Sequence, residues 1–94
     1  MVEETKAQTP RVEMYTTQVC PYCVRAKDLL KRKGVDVVEY RVDSDDKLRD
    51  EMLARANGMR TVPQIFINDR HVGGCDDLYA LESQGKLDDF LNDA

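Results

Sequence analysis

The chain is predicted to adopt a mixed α/β fold, a four-stranded sheet with helices on both faces. Three observations lead there. Apolar spacing along the chain switches between a period of two and a period near 3.6, so strands and helices alternate. The segments follow the order β-α-β-α-β-β-α-α, and the opening βαβ unit calls for a parallel pair joined by a crossover helix. A hairpin and a helix then close the chain, which adds antiparallel strands to the same sheet.

Val12, Met14 and Thr16 alternate with Glu13, Tyr15 and Thr17, the pattern of a strand. Pro21 suits the first turn of a helix, where its missing N–H costs nothing, and Ala26, Leu29 and Leu30 give that helix an apolar face. Lys31, Arg32 and Lys33 fall in its last turn, where cations complement the dipole, and Gly34 ends it. Residues 35–42 are rich in Val and Tyr and read as a second strand. Asp43 or Ser44 caps the next helix, with Asp45 and Asp46 in its first turn. Leu48, Met52 and Ala56 line one side of it, Glu51 and Arg55 are spaced for an ion pair, and Asn57-Gly58 closes it. Thr61-Val62-Pro63 leads into a third strand, Gln64-Ile65-Phe66-Ile67. Asn68-Asp69-Arg70 is a turn and His71-Val72 a short edge strand. Gly73-Gly74 precedes a helix opened by Cys75-Asp76-Asp77 that carries Leu78, Tyr79 and Leu81. Gly85 interrupts it, and Leu87, Phe90 and Leu91 form a last short amphipathic helix.

Ninety-four residues, 41% of them apolar, make one domain able to fold without staples. The domain is expected over Val12–Ala94, behind a flexible polar tail, Met1–Arg11, that lacks the apolar stretch of a secretory signal. A net charge of −4 argues against a broad nucleic-acid footprint. No apolar run approaches the roughly 20 residues of a membrane span. Three cysteines, an odd number, argue against a disulfide framework and for a reducing cytoplasm, where a close pair is catalytic or metal-binding. Cys20, Cys23, Cys75 and His71 would together supply a Cys₃His zinc set. Pro21 and Tyr22 fit a helix start better than a zinc knuckle, so no metal is expected.

Cys20-Pro21-Tyr22-Cys23 stands where the first strand ends and a helix begins. That spacing places one sulfur at the helix tip and the other about one turn in, the geometry of a disulfide that opens and closes. Cys20 is the expected nucleophile and Cys23 the resolving thiol. Lowering a thiol from about 8.5 to about 5 needs roughly 5 kcal/mol of preference for the thiolate. A helix terminus supplies at most about 2 kcal/mol. Direct hydrogen bonds from the Tyr22 and Cys23 N–H groups must supply most of the rest, with a small screened contribution from Arg25 or Lys27.

Cys-Pro-Tyr-Cys at 20–23, Thr-Val-Pro at 61–63 and Gly-Gly-Cys-Asp-Asp at 73–77, in this order, resemble the glutaredoxin family. The resemblance covers Val12 to about Leu91 and is greatest to bacterial dithiol members of the glutaredoxin-three kind. It implies the thioredoxin fold and a cytoplasmic enzyme, a glutathione-dependent thiol–disulfide oxidoreductase that reduces protein disulfides and glutathionylated proteins. Glutathione is then a co-substrate and no cofactor is tightly bound. Glutathione reductase is an indirect partner, and the chain is a monomer that binds neither nucleic acid nor membrane.

The resemblance also implies roles. The Val62–Pro63 bond is cis and faces the cysteines, and the Val62 backbone pairs with the cysteinyl part of glutathione, flanked by Thr61. The helix start at Gly74, Cys75 and Asp76 receives the γ-glutamyl carboxylate, and the Asp76 side chain takes the ammonium. Tyr22 lies along the glutathione cysteine and Arg60 meets the glycyl carboxylate. Thr17 stands where many members carry a lysine, which implies weaker glutathione affinity. Blander readings stand beside these: Pro63 as a strand opener, Asp77 as a first-turn acid, Cys75 as a packed residue lending its N–H, Met59 with no role. Two other family roles compete. One is an iron–sulfur carrier, two copies bridging a [2Fe–2S] cluster through Cys20 and two glutathiones, which the stiff Pro21 disfavours. The other is a redoxin reduced by thioredoxin reductase, which Gly-Gly-Cys-Asp disfavours.

Overall fold

A computed structural model describes residues 10–92. In chain order the elements are β1 (Val12–Thr16), α1 (Pro21–Arg32), β2 (Val37–Arg41), α2 (Asp46–Arg55), β3 (Gln64–Ile67), β4 (Arg70–Gly73), α3 (Cys75–Ser83) and α4 (Leu87–Asn92). The strands form one sheet in the order β2-β1-β3-β4. β1 runs parallel to β2, with Val12 opposite Val37, and antiparallel to β3, with Met14 opposite Ile65. β3 and β4 form the expected antiparallel hairpin. Asn68 (φ 51°) and Asp69 (φ 67°) make its turn, where a short polar side chain tolerates left-handed backbone. The expected mixed four-stranded sheet is therefore the sheet the chain builds.

Period-two alternation sorts the central strands onto two cores. Val12, Met14, Ile65 and Ile67 pack with Ala26, Leu29 and Leu30 of α1, with Leu78 of α3, and with Leu87 and Leu91 of α4. Tyr15 and Phe66, from the intervening positions, pack with Val42 and with Met52 and Ala56 at α2. Every residue of β1 is buried as a result, including the polar ones.

Burial of Glu13, only 4% exposed, reorganises the charges around it. Arg55 reaches across from α2 and forks onto it, with Nη2 to Oε1 at 3.1 Å and Nη1 to Oε2 at 3.3 Å. The Tyr40 hydroxyl donates to Glu13 at 2.9 Å, Arg55 donates to the Tyr15 hydroxyl at 2.8 Å, and that hydroxyl donates to Glu51. The expected Glu51–Arg55 pair along α2 gives way to this network. A carboxylate removed from water needs a cation far more than an exposed one does. Burial alone would raise the Glu13 pKa, but hydrogen bonds from Arg55 and Tyr40 and the Arg55 charge bring it below the ordinary carboxylate value. Tyr15 is pushed up to about 12 by burial and by its bond to Glu51.

Several boundaries differ from expectation, among them β4, which takes in Arg70 and Gly73 on either side of the expected His71-Val72. β2 begins at Val37 rather than at 35, because the Val35 N–H turns back to the Leu30 carbonyl and finishes the end of α1. The cap of α2 is Asp45, not Asp43 or Ser44: Asp45 Oδ1 accepts from Lys47 N at 2.9 Å and from Leu48 N at 3.3 Å. Asp43 instead pairs with Arg41 at 2.9 Å and accepts from Gln18 N at 3.0 Å. Those two contacts lower its pKa to about 2 and tie β2 to the loop before Cys20. Asp45→Ala is expected to cost about 1 kcal/mol in urea unfolding, with an unchanged slope.

Of the expected tail, residues 1–9 lie outside the described residues. Arg11 is bonded to the hairpin turn, its N–H donating to Asn68 Oδ1 at 2.9 Å and its carbonyl accepting from Asn68 N at 2.8 Å. Among the described residues, no helix is long and apolar enough to cross a membrane.

Candidate active site

Cys20 is the N-cap of α1, extended at φ −149°, ψ 91°, with Pro21 in the first helical position. Its carbonyl accepts the first helical bond from Val24 N at 3.1 Å, and its sulfur accepts from Cys23 N at 3.1 Å. Cys20 and Cys23 are joined as a disulfide. Cys20 is 9% exposed and Cys23 2%, so an incoming thiolate reaches Cys20 first. Of the two N–H groups expected to stabilise its thiolate, the structure places the Cys23 group on the sulfur. A hydrogen bond to a charged group contributes about 1.5–3 kcal/mol and the helix terminus up to about 2, so both favour the Cys20 thiolate and the bond adds at least as much as the dipole. Lys27 adds little, because Glu39 holds its ammonium at 3.1 Å. Lys27, Glu39, Arg41, Thr17 and Gln18 form a groove on one side of the disulfide, and the Thr17 hydroxyl turns to the Val19 carbonyl at 3.4 Å.

A cleft of about 360 Å³ is lined by Tyr22, Met59, Thr61, Val62, Pro63, Gly74, Cys75, Asp76 and Asp77. It brings together residues of the three motifs, with Tyr22 alone from the first, while Cys20 and Cys23 line the neighbouring groove. The Val62–Pro63 bond is cis, and Val62 packs against the cluster that contains Cys20, Cys23 and Cys75. Gly74 stands as the N-cap of α3 against the Pro63 carbonyl. A glycine has no side chain to accept the first N–H groups of the helix. The first intrahelical bond runs from Leu78 N to Gly74 O at 3.0 Å, which leaves the N–H groups of Cys75, Asp76 and Asp77 pointing out of the helix end. Such an end holds a carboxylate through those groups.

Asp77 has a specific task that a first-turn acid need not have. Its Oδ2 accepts from Gly74 N at 2.9 Å and fixes the chain entering α3. Gly73, at φ 116°, is required there, since a Cβ would collide with the Asp77 carboxylate. Cys75 is 6% exposed and carries no disulfide. Burial raises its thiol pKa, with the Arg25 charge pulling down and the Asp76 charge pushing up. It is a packed residue of the cleft wall that stays protonated.

Two contributors escaped the sequence reading. Met59 is 44% exposed and lines the cleft, although nothing in its spacing marks it. Gln64, fully buried, anchors the Thr61–Pro63 segment from behind. Its Nε2 donates to the Thr61 carbonyl at 3.0 Å and to the Thr61 hydroxyl at 3.2 Å, and its Oε1 lies 2.7 Å from His71 Nε2. The signal available was a polar residue opening a β-run that ought to be apolar. Gln64→Leu leaves the Thr61 carbonyl without this donor, and the KM for a ligand seated in the cleft is expected to rise about fivefold with kcat little changed. Steady-state kinetics at varied concentration of that ligand read this directly. Arg60 is exposed and does not line the cleft, although Met59 and Thr61 on either side of it do. His71 stacks on Phe66 at 4.9 Å as well as meeting Gln64. Among the described residues no group of three or more His, Cys, Asp or Glu side chains is placed to hold a metal ion.

Comparison with known proteins agrees with this geometry. The glutaredoxin family model matches residues 12–72. A glutaredoxin of Pseudomonas aeruginosa is 60% identical over 83 residues, covering 88% of this chain and 98% of its own. Glutaredoxin 3 of Escherichia coli strain K12 is 55% identical over 80 residues, covering 85% of this chain and 95% of its own. The crystal structure of a buckwheat glutaredoxin–glutathione complex superposes with a TM-score of 0.80 at 27% identity, over 97% of this chain and 86% of that one.

Proposed function

Because this chain belongs to the glutaredoxin family, we propose that Cys20 and Cys23 carry its glutathione-dependent thiol–disulfide exchange, with glutathione seated in the cleft beside them. The protein is a thiol–disulfide oxidoreductase with the thioredoxin fold. The observation that carries the assignment of residues is a cleft that has Tyr22, from the Cys20–Cys23 turn, on one side, the cis Val62–Pro63 segment on another and the unpaired N–H groups of α3 at its end.

The Cys20 thiolate attacks one sulfur of a protein disulfide, forming a mixed disulfide and releasing the other sulfur as a thiolate. Cys23, already one turn away, then attacks the Cys20 sulfur and releases the second partner thiol. The product is the Cys20–Cys23 disulfide. A glutathione thiolate opens it by bonding to Cys20 and freeing Cys23. A second glutathione attacks the bound glutathione sulfur, which yields glutathione disulfide and restores the Cys20 thiolate. Glutathione mixed disulfides need Cys20 alone.

In this reading the γ-glutamyl carboxylate meets the N–H groups of Cys75 and Asp76, and the Asp76 carboxylate meets the ammonium. The Val62 backbone bonds the cysteinyl unit as an added strand would, with Thr61 and Pro63 beside it and Tyr22 along it. Arg60, between the cleft residues Met59 and Thr61 in sequence, would have to swing in to meet the glycyl carboxylate. The enzyme works in the cytoplasm as a monomer, on disulfide-bearing and glutathionylated proteins, with glutathione kept reduced by glutathione reductase.

The test is turnover of the mixed disulfide of glutathione and 2-mercaptoethanol, coupled to glutathione reductase. Saturable turnover in glutathione is expected. Absence of turnover with glutathione, but rapid reduction by thioredoxin reductase, would overturn the reading.

A further inference from the structure

We propose that the groove between α1 and α3 docks an acidic stretch of the protein substrate beside its reacting cysteine, an inference that rests on the oxidoreductase reading above. Arg25, Asp28, Lys31, Arg32 and Tyr79 line this groove, about 440 Å³ in volume. Arg25, Asp28 and Arg32 recur at i, i+3 and i+7, so they share one ridge of α1. The Tyr79 hydroxyl donates to the Arg25 carbonyl at 3.1 Å and joins the two helices along the groove.

The groove collects cations that the protein leaves unpaired. Arg11, Lys27, Lys33, Arg41 and Arg55 each hold a carboxylate. Among the described residues no salt bridge engages Arg25, Lys31 or Arg32; Lys47, Arg49, Arg60 and Lys86 are outside the salt bridges too, but in this groove three such cations line one cavity. Even the neighbouring Lys33 is committed, to Glu82 at 2.8 Å and Asp88 at 3.1 Å. Asp28 is the one acid in the groove, and its backbone carbonyl accepts from Arg32 Nε at 3.4 Å. The lining is thus three positive charges against one negative, on a protein of net charge −4. The helix dipole accounts for Lys31 and Arg32, which sit in the last turn. It does not account for Arg25, in the N-terminal half of α1.

Position ties the groove to the chemistry. At a rise of 1.5 Å per residue, Arg25 and Arg32 lie about 8 and about 18 Å along the helix from Cys20. Cys75 in the cleft wall and Tyr79 in the groove stand one turn apart on α3, so groove and cleft adjoin. An extended chain advances about 3.3 Å per residue. A substrate whose cysteine meets Cys20 would therefore bring into the groove residues roughly two to five positions away. The partner chemistry is a polypeptide with Asp or Glu at those positions.

Two synthetic peptides test this, each glutathionylated on a single cysteine. They differ only in carrying Glu or Lys at about two to five positions to either side of it. In dilute buffer the Glu peptide is expected to show a kcat/KM about tenfold above the Lys peptide. The gap should close at 1 M salt, where the screening length falls to about 3 Å. In the exposed double variant Lys31→Gln/Arg32→Gln the gap should shrink to about threefold or less. Turnover of the small mixed disulfide of glutathione and 2-mercaptoethanol should stay as in the parent. Equal kcat/KM for the two peptides in the parent overturns the proposal, as does a preference that stays above about threefold in the double variant. Loss of small-disulfide turnover in the parent would instead overturn the oxidoreductase reading, which keeps the two failures apart.

Discussion

Cys20→Ser should lose turnover of small glutathione mixed disulfides by at least about a thousandfold, the scale of removing a covalent nucleophile. Cys23→Ser should keep most of that turnover. The asymmetry follows from position. Cys20 caps α1, takes the Cys23 N–H on its sulfur and is the more exposed of the two. A serine hydroxyl in the same place stays protonated near neutral pH and makes a poor leaving group. Cys23 enters only when a protein mixed disulfide must be resolved, so Cys23→Ser should be impaired on intramolecular protein disulfides and should trap the mixed disulfide. The small-substrate assay and non-reducing electrophoresis read the two arms. An active Cys20→Ser with a dead Cys23→Ser would reverse the assignment.

Arg55→Leu should destabilise the fold by roughly 3 kcal/mol, although it lies outside the active site. It strips the Glu13 carboxylate of its fork and removes the donor to Tyr15. Tyr40, at 2.9 Å, and Arg11, at 3.5 Å, still face Glu13, which keeps the loss at the lower end for a broken buried pair. For a domain of this size that corresponds to a drop in Tm of roughly 12–24 °C. The pH dependence carries the sign. In the parent the Glu13 pKa is depressed on folding, so its contribution is present above the unfolded value near 4.5 and is lost as pH falls through the folded value. Without Arg55, burial dominates, the folded pKa rises, and acidification relieves the variant. The stability gap should therefore narrow from pH 7 to pH 4. Adding Glu13→Gln to Arg55→Leu should recover part of the loss, because the buried charge is gone. Thermal unfolding of the three proteins across that range decides it, and a constant gap would count against a charged Glu13 as the cause.

The Glu13–Arg55 network also marks what the sequence could not disclose. Glu51 and Arg55 are four apart on one helix, and local spacing favours their pairing. What outweighs it is the burial of Glu13 between two covered sheet faces, a property of the assembled layers. Asp43 and Asp45 are a similar case. Either is a sound cap by residue type, and the choice fell to Asp45 because Gln18 and Arg41 engage Asp43. Gln64 and Met59 gained their places in the site only when β3 met β4 and the Thr61–Pro63 segment met α3.

The amino-acid order by itself determined the elements, their order and the chemistry. Pro21 after Cys20, Gly34 after a basic turn, and glycines at 73 and 74 act over a few residues, where local backbone and side-chain preferences dominate. The sheet order and its parallel pair followed from the βαβ unit and the hairpin. Tertiary structure decided which charges are buried, which sulfur is exposed, and how the 20–23, 61–63 and 73–77 segments close on one cleft. The physical reason is that desolvation and unpaired backbone groups are set by neighbours distant in sequence, and no local pattern encodes them.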